Sequence, residues 1–286
     1  MIDFNDIRDD QIRILGEDNE PNKTSGNKWR VIIALIMAIG IIIAGIALLT
    51  DTDEIQSEPK EPENFLCIEE ECTDSAPGFI EIQDTVINDI PIRLFIPHNA
   101  EMSLHIGLVD KTDTTIIYAA QAADIRADNG GIVGAFVLKG EPRAWGLSKK
   151  GFCASINGKV TIGVADNSPL FEEATEKGGY FFRQYPLVSN GKVVDNEVKG
   201  KSIRRGICDC QGRIFMVETL DNESFHDFSQ ALTDLGVEQA IYLVGASAHT
   251  WAVDKDGTTH NSGNDGYYTG QYKLPENISY IVWKKK

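Results

Sequence analysis

The sequence predicts an α+β protein: a strand-rich, mixed-sheet domain with two or three helices, preceded by one transmembrane helix. Three observations predict this class. Residues 31–49 contain no charged or strongly polar side chain, the next stretch is acidic, and from Phe79 onward short β-type runs alternate with turn residues. A helix of about 20 apolar residues spans the hydrocarbon core of a bilayer. Frequent runs of Val, Ile, Tyr and Phe are typical of strands.

The chain is divided accordingly into four segments. They are a cytoplasmic tail (1–28), a transmembrane signal-anchor helix (29–50), an acidic linker (51–77) and the strand-rich domain (78–286). The linker combines Pro, Ser and dense acid, so it buries too little apolar surface to order itself. A buried core helix of this length would need polar residues on its circumference, which residues 31–49 lack.

The direction of the anchor follows from Lys and Arg on its two sides. Lys23, Lys28 and Arg30 precede the apolar run, whereas only Lys60 follows it closely. Because cytoplasmic flanks are rich in these residues, we expect a single-pass protein of the cell membrane, with its N-terminus cytoplasmic and its C-terminal domain periplasmic or extracellular. A cleaved signal peptide is the alternative, but no small-x-small site follows the run. The lipid bilayer is therefore an expected partner.

The charge of the chain excludes one class of partner. The formal net charge is −16, yet residues 51–76 hold ten acidic residues against one Lys, while residues 77–286 hold 26 against 21 basic ones. Nucleic-acid binding depends on clustered Lys and Arg that release counterions from phosphates. No such cluster exists, so we expect no nucleic-acid partner.

Turn and helix signals divide the domain further. Asn157-Gly158 and Asn190-Gly191 are typical of two-residue hairpin turns. Helices are predicted over residues 168–177 and 224–235, the second with a stripe of Phe and Leu and Gly236 as its left-handed cap.

Five cysteines leave several pairings open. Cys67 and Cys72 are able to close a small loop, and Cys153 is able to pair with Cys208 or Cys210. The Cys-x-Cys spacing does not suit zinc and no His cluster accompanies it, so no metal or other cofactor is predicted.

Several segments together resemble the phosphodiester glycosidase family. The run GIVGAFVLKGEPRAWG (131–146) has the layout of a family strand and loop and keeps Gly134 and Phe136. The run KSIRRGICDCQGRIFMVET (201–219) resembles the family's arginine strand, with Arg204 at the Arg position, and residues 224–247 reproduce the following helix, strand and loop. The resemblance implies a strand-rich domain and cleavage of glycosyl phosphodiesters.

Two polar positions of the family pocket are changed in this chain. Val133 replaces an Asn and Val244 replaces an Asp, and the glycine-rich loop survives only as Gly245-Ala246-Ser247. A carboxylate able to act as acid or base is therefore missing from its expected place.

The predicted site residues follow from this resemblance and from side-chain chemistry. A guanidinium is suited to binding a sugar phosphate. Because adjacent strand residues face opposite sides of a sheet, only one of Arg204 and Arg205 is able to line a pocket. We expect Arg204 to hold the phosphate, with Arg183 assisting. His249 is the candidate acid or base, the alternative being a surface group. Arg183 and Gln184 lie among aromatic residues in the sequence. These aromatic side chains either form a platform on which a sugar stacks or belong to the core. The expected substrate-binding residues are Gly134, Phe136, Arg205, Gly245 and Ser247.

Three functions are compatible with these features. The first is a hydrolase of glycosyl phosphodiesters in cell-envelope glycans. The second is a catalytically degenerate domain that binds an envelope glycan or a protein through the same cleft, which Val133 and Val244 favour. The third is a tethered structural domain without a ligand. No Walker loop, Gly-x-Ser-x-Gly elbow or His-Glu-x-x-His helix is present.

Overall fold

The computed structural model describes residues 77–286. The predicted tail, the predicted transmembrane helix and all but the last residue of the linker lie outside the described residues. Within residues 77–286, no helix has the length and apolar character needed to cross a membrane.

Seventeen strands and two helices make up the described residues. The strands are β1 (Phe79–Ile87), β2 (Ile90–His98), β3 (Ala100–Ile106), β4 (Ile116–Gln121), β5 (Ala135–Leu138), β6 (Glu141–Trp145), β7 (Gly151–Ile156), β8 (Lys159–Val164), β9 (Tyr180–Gln184), β10 (Pro186–Ser189), β11 (Lys192–Val193), β12 (Arg205–Cys210), β13 (Arg213–Thr219), β14 (Gln239–Leu243), β15 (Thr250–Val253), β16 (Thr259–Ser262) and β17 (Ser279–Lys285). The helices are α1 (Leu170–Glu176) and α2 (Phe225–Asp234).

The strands form three sheets. A seven-stranded sheet has the order β1-β2-β13-β12-β14-β10-β11, a second sheet has the order β16-β15-β4-β17-β3, and a third has the order β6-β5-β9-β7-β8. The predicted mixed sheet is wrong, since every ladder within residues 77–286 is antiparallel. Six of these ladders are hairpins between consecutive strands, which short loops are able to form, whereas a parallel pair needs a long crossover. The domain is mostly β.

Both predicted hairpin turns and both predicted helices are confirmed. Asn157-Gly158 joins β7 to β8 and Asn190-Gly191 joins β10 to β11, with all four residues at positive φ. Helix α2 is capped by Ser224, whose Oγ accepts the Asp227 N–H at 3.0 Å.

Apolar residues from all three sheets share one central core, which holds Phe136, Phe182 and Ile207. A second core lies on the other face of the seven-stranded sheet, where Phe225, Phe228 and Leu232 of α2 pack against it. Helix α1 covers the outer face of the third sheet in the same way. Strands of the seven-stranded and third sheets therefore direct alternate side chains to the central core and to the core under a helix.

The α2 stripe supplies a test of this packing. Phe228 is fully buried in the second core. We expect Phe228→Ala to lower the free energy of unfolding by about 3–5 kcal/mol, because it removes buried apolar surface and leaves a cavity. Urea unfolding of the purified chain, followed by circular dichroism, measures the change. The matched control is His226→Ala, at an exposed position of the same helix. We expect it to change the free energy of unfolding by no more than about 0.5 kcal/mol. Equal effects of the two variants would contradict the packing.

Candidate functional site

A polar cluster joins the loop after β4, the loop before β7 and the end of β9. The Lys149 ammonium donates hydrogen bonds to the Asp124 carboxylate and to Gln184 Oε1, the latter at 2.7 Å. The Lys149 side chain is 6% exposed and the Asp124 side chain is 35% exposed. The cation is thus buried, whereas the carboxylate that it binds reaches solvent.

Lys149 has further features of a functional residue. Its φ of 68° lies in the left-handed region, which non-glycine residues adopt rarely and which recurs at active sites. Burial lowers the pKa of Lys149, and the Asp124 carboxylate partly opposes that shift. The ammonium lies 4.3 Å from the centre of the Tyr185 ring. A desolvated cation beside an accessible carboxylate suits anion binding or proton transfer.

The cluster adjoins Val133 and Val244, the two positions at which the sequence resemblance leads us to expect polar residues. The Val133 N–H donates to the Asp124 carbonyl at 2.9 Å, and the Val244 N–H donates to the Gln121 carbonyl at 3.0 Å. The end of β4 therefore touches both segments through backbone hydrogen bonds. Asp124 brings a carboxylate into a neighbourhood where residues 133 and 244 supply none.

The two adjacent arginines point in opposite directions, as strand alternation predicts. The Arg204 guanidinium donates to the carbonyls of Glu223 at 2.7 Å and Gly200 at 2.6 Å and lies 4.6 Å from the Phe225 ring centre. It is therefore buried on the α2 side of the sheet, and its contacts fasten the segment before β12 to the segment before α2. A contact of this guanidinium with Asp124 or Lys149 is not observed among the described residues.

Arg205 lies on the opposite face, toward the central core. Its guanidinium pairs with Glu218 and donates to the Val244 carbonyl and to Ser262 Oγ, each at 3.3 Å. Ser262 Oγ in turn donates to Glu218 at 2.7 Å. This pair is almost fully buried, so its charges satisfy one another rather than facing a ligand.

The ion pair ends a row of alternating charges across the sheet. The register places Asp84 opposite Arg93, Arg93 opposite Glu218, and Glu218 opposite Arg205. Opposite charges directly across antiparallel strands attract. The row accounts for Glu218 and Arg205 as parts of one structural ladder.

The glycine and phenylalanine expected to bind substrate have different environments. Gly134 has a φ of 90°, and a Cβ there would lie 2.9 Å from Arg183 Cβ. Its lack of a side chain thus permits close packing of β5 against β9. Phe136 is fully buried in the central core, and its side chain is not accessible to a ligand.

The remnant of the glycine-rich loop is held by close packing. A Cβ on Gly245 would lie 2.2 Å from the Ile203 carbonyl oxygen and 2.6 Å from Tyr242 Oη, so no larger residue fits there. Ser247 is exposed, and its carbonyl accepts the Asn264 N–H at 2.9 Å. Of this loop, Ser247 is the predicted binding residue that solvent reaches.

His249 is buried beside Tyr268, with ring centres 5.3 Å apart. No side-chain or backbone hydrogen bond satisfies either ring nitrogen within residues 77–286. Burial, with help from the positive charge of Lys111, lowers the pKa of His249 to about 4. At neutral pH the ring is therefore uncharged and has no proton to give as an imidazolium.

Arg183 faces away from its neighbour Gln184. Its guanidinium donates to the carbonyls of Lys149, Ala165 and Asp166 at 2.8–3.1 Å. Gln184 turns to the opposite side of β9 and binds Lys149 and the Ala122 carbonyl. The structure thus brings Gln184 to the polar cluster and places Arg183 on the other face of the third sheet.

The three described cysteines, Cys153, Cys208 and Cys210, are buried, and Cys153 is bonded to neither of the other two. Cys153 belongs to the central core, whereas Cys208 and Cys210 belong to the core beneath α2. The pairing of Cys153 with either partner is therefore not formed. Cys67 and Cys72 lie outside the described residues.

Sequence reasoning missed the two charged members of the polar cluster. Asp124 is the first charged residue after the run 116–123, which is apolar except for Gln121, and a carboxylate in the loop after a buried strand is a usable signal. Lys149 gave no signal, because a lysine in an ordinary loop does not reveal its burial or its positive φ.

The fold resembles a known catalytic domain. The structure of the zebrafish N-acetylglucosamine-1-phosphodiester alpha-N-acetylglucosaminidase catalytic domain, auto-inhibited by its pro-peptide, superposes with a TM-score of 0.51 at 14% identity, over 73% of this chain and 83% of that one. A hypothetical protein from Synechocystis gives a TM-score of 0.46 at 11% identity, over 72% of this chain and 62% of that one. No protein-family model and no curated protein matches the sequence. The zebrafish domain establishes a shared fold.

The environment of His249 predicts a specific pH dependence of stability. The folded protein keeps the ring neutral down to about pH 4, whereas the unfolded chain protonates it near pH 6.5. The unfolded state therefore takes up a proton first, and the free energy of unfolding falls as the pH drops from 6.5 toward 4. We expect His249→Gln to make this fall shallower, as measured by urea unfolding at several pH values. His226→Gln, at an exposed position, is the control; an unchanged slope in His249→Gln would contradict a neutral buried ring.

Proposed function

We propose that residues 77–286 form a phosphodiester glycosidase-type domain that hydrolyses glycosyl phosphodiesters in cell-envelope glycans. Two independent lines support the proposal: the motifs around Gly134 and Arg204 in the sequence, and the fold shared with the zebrafish catalytic domain. The fold alone does not specify the reaction, so the proposal depends on the chemistry of the cluster.

The observation that carries this proposal is the accessible Asp124 carboxylate held by the buried Lys149 ammonium. Positions 133 and 244 have lost their polar side chains, and Asp124 is hydrogen-bonded through its backbone to Val133. A carboxylate is thus available beside residue 133, contributed by a different segment of the chain.

The reaction needs a base, and its leaving group needs little acid catalysis. Water attacks the anomeric carbon while the bond from that carbon to the phosphate oxygen breaks. The water proton passes to Asp124, and the phosphate monoester leaves with the electron pair of the broken bond. Because the second pKa of a phosphate monoester is about 6, it departs at neutral pH without taking up a proton. The products are a free sugar and the monoester.

Lys149 has two roles in this proposal. Its ammonium positions the Asp124 carboxylate through their hydrogen bond, and its positive charge attracts the phosphodiester. Gln184 fixes the ammonium from the other side at 2.7 Å. The phosphate contact expected from Arg204 thus passes to Lys149, because both observed Arg204 hydrogen bonds go to backbone carbonyls.

A second function follows from Val133 and Val244. If Asp124 does not replace the lost side chains in catalysis, the site around Asp124 and Lys149 binds an envelope glycan or a protein without cleaving it. The lowered pKa of the buried Lys149 and its pairing with Asp124 are compatible with binding as well as with turnover.

The location of this activity is also part of the proposal. We place the domain outside the cytoplasmic membrane, periplasmic or extracellular, tethered by residues 29–50 through the acidic linker. The apolar run of residues 31–49 and the basic residues that precede it support this arrangement. An envelope glycan is then the accessible class of substrate.

The catalytic role of Asp124 is tested by a matched pair of variants. We expect the purified full-length chain to cleave aryl N-acetylglucosaminyl or glucosyl phosphodiesters into the free sugar and an aryl phosphate. Asp124→Asn is expected to lower kcat/KM by roughly 10²–10⁴-fold, the range for loss of a general base. Asp166→Asn is the control, because Asp166 also pairs with a lysine, Lys150 at 3.0 Å, but both side chains are exposed.

Each result of this assay decides between the functions. Full activity in Asp124→Asn would remove Asp124 from the mechanism. Binding of the phosphodiester without turnover by the unchanged chain would support the degenerate binding domain. If the unchanged chain neither binds nor cleaves the phosphodiester, both functions are rejected.

The anchor is tested by fractionation. We expect the full-length chain to sediment with membranes and to be extracted only by detergent, because the apolar segment spans the bilayer. Deletion of residues 29–50 should release the protein into the soluble fraction. Protease added outside intact cells, or to spheroplasts, should remove the C-terminal domain. A full-length chain that stays soluble without detergent would refute the anchor.

A further inference from the structure

A cavity lies on the outer face of the third sheet, beside helix α1. Its volume is about 560 Å³, which falls within the range of small-molecule sites. Arg183 lines this cavity together with Trp145, Leu147, Phe171 and Glu172. Residues 183 and 184 alternate along β9, so the cavity and the Asp124–Lys149 cluster lie on opposite sides of one sheet.

Arg183 carries a buried positive charge that no carboxylate neutralises directly. The residue is 2% exposed, and its three hydrogen bonds all go to neutral backbone carbonyls. No Asp or Glu in the described part of the chain forms an ion pair with it. The Asp166 carboxylate raises the pKa of Arg183 by its charge and so opposes the effect of burial, but its side chain is 81% exposed and pairs with Lys150. A buried cation is costly unless it is paired. The site therefore has an electrostatic demand for an anion.

The guanidinium also retains donor capacity. Arginine has five N–H donors, and three hydrogen bonds are formed here. The Nε–H is buried and has no acceptor within residues 77–286. This donor suits a carboxylate or phosphate oxygen, because hydrogen bonds from a guanidinium to an ionised acceptor are the strong ones.

The rim of the cavity has the features of a sugar site. Trp145 is 67% exposed and Leu147 is 66% exposed, and both side chains line the cavity, so its rim has an exposed apolar surface. An aromatic face stacks on the apolar face of a sugar ring. Glu172 and Asn167, which line the same cavity, are able to bind hydroxyl groups.

From this arrangement we propose that the cavity binds an anionic sugar residue of a glycan, with the anionic group on Arg183 and the ring against Trp145. Glu172 repels the anionic group and accepts hydrogen bonds from hydroxyls, so it orients the ring. The carboxylate of a uronic acid and the phosphate of a sugar phosphate share the chemistry that Arg183 recognises. The inference does not depend on hydrolysis at Asp124, since the two sites lie on opposite faces.

The experiment compares three sugars on the purified full-length chain. Ligand-observed NMR titrations with glucuronic acid, glucose 6-phosphate and glucose give the relative affinities. We expect at least one anionic sugar to bind about tenfold or more tightly than glucose, because charge-assisted hydrogen bonds are lost in the neutral sugar. The tighter of the two anionic sugars identifies the natural class. Equal binding of all three, or no binding of either anionic sugar, would overturn the proposal.

Variants locate the binding. Trp145→Ala should weaken the anionic sugar about fivefold by removing the stacking surface, whereas Tyr272→Ala, at an exposed aromatic outside the cavity, should leave affinity unchanged. Arg183→Gln should abolish the preference for the anionic sugar; where circular dichroism shows that this variant does not fold, Trp145→Ala decides alone. Undiminished binding in Trp145→Ala would refute the site. Asp124→Asn should bind the sugar normally, which separates this inference from the hydrolase proposal.

Discussion

Alternation of side chains across antiparallel strands determines on which face of its sheet each buried arginine of this domain lies. Two adjacent residues of β9 supply a cavity on one face and the polar cluster on the other, through Arg183 and Gln184. Two adjacent arginines at the start of β12 are separated in the same way. Because each face of the third and seven-stranded sheets is covered by a different core, a one-residue slip would exchange these environments and bury the charges among apolar side chains.

The buried cations differ in what balances their charge, and this difference separates structure from function. Arg205 has the buried carboxylate of Glu218, and Arg204 has two carbonyls and an aromatic ring. Arg183 has carbonyls alone, and Lys149 shares a carboxylate with solvent. Internally satisfied cations stabilise the sheet and its connections. The charges left partly unsatisfied, at Lys149 and Arg183, mark the two places where a ligand adds favourable energy.

Local sequence patterns predicted the local structure but not the arrangement of the site. The Asn157-Gly158 turn and helix α2 follow from conformational preferences of a few neighbouring residues. The face of each arginine followed from alternation, but which face carries the ligand depends on how the sheets pack. The contact of Asp124 with Lys149 joins residues 25 positions apart. The pairing depends on a left-handed lysine backbone that no residue pattern signals.

The exposure of Asp124 argues that its pair with Lys149 is kept for function. A buried ion pair is a weak source of stability, since desolvation offsets most of the attraction. Arg205 and Glu218 offset this desolvation cost by their direct contact and by hydrogen bonds with Ser262 and the Val244 carbonyl. The Asp124–Lys149 pair instead combines a desolvated ammonium, a positive φ and a carboxylate open to solvent. Each feature reduces its benefit to folding, and each favours a site that binds or deprotonates a ligand.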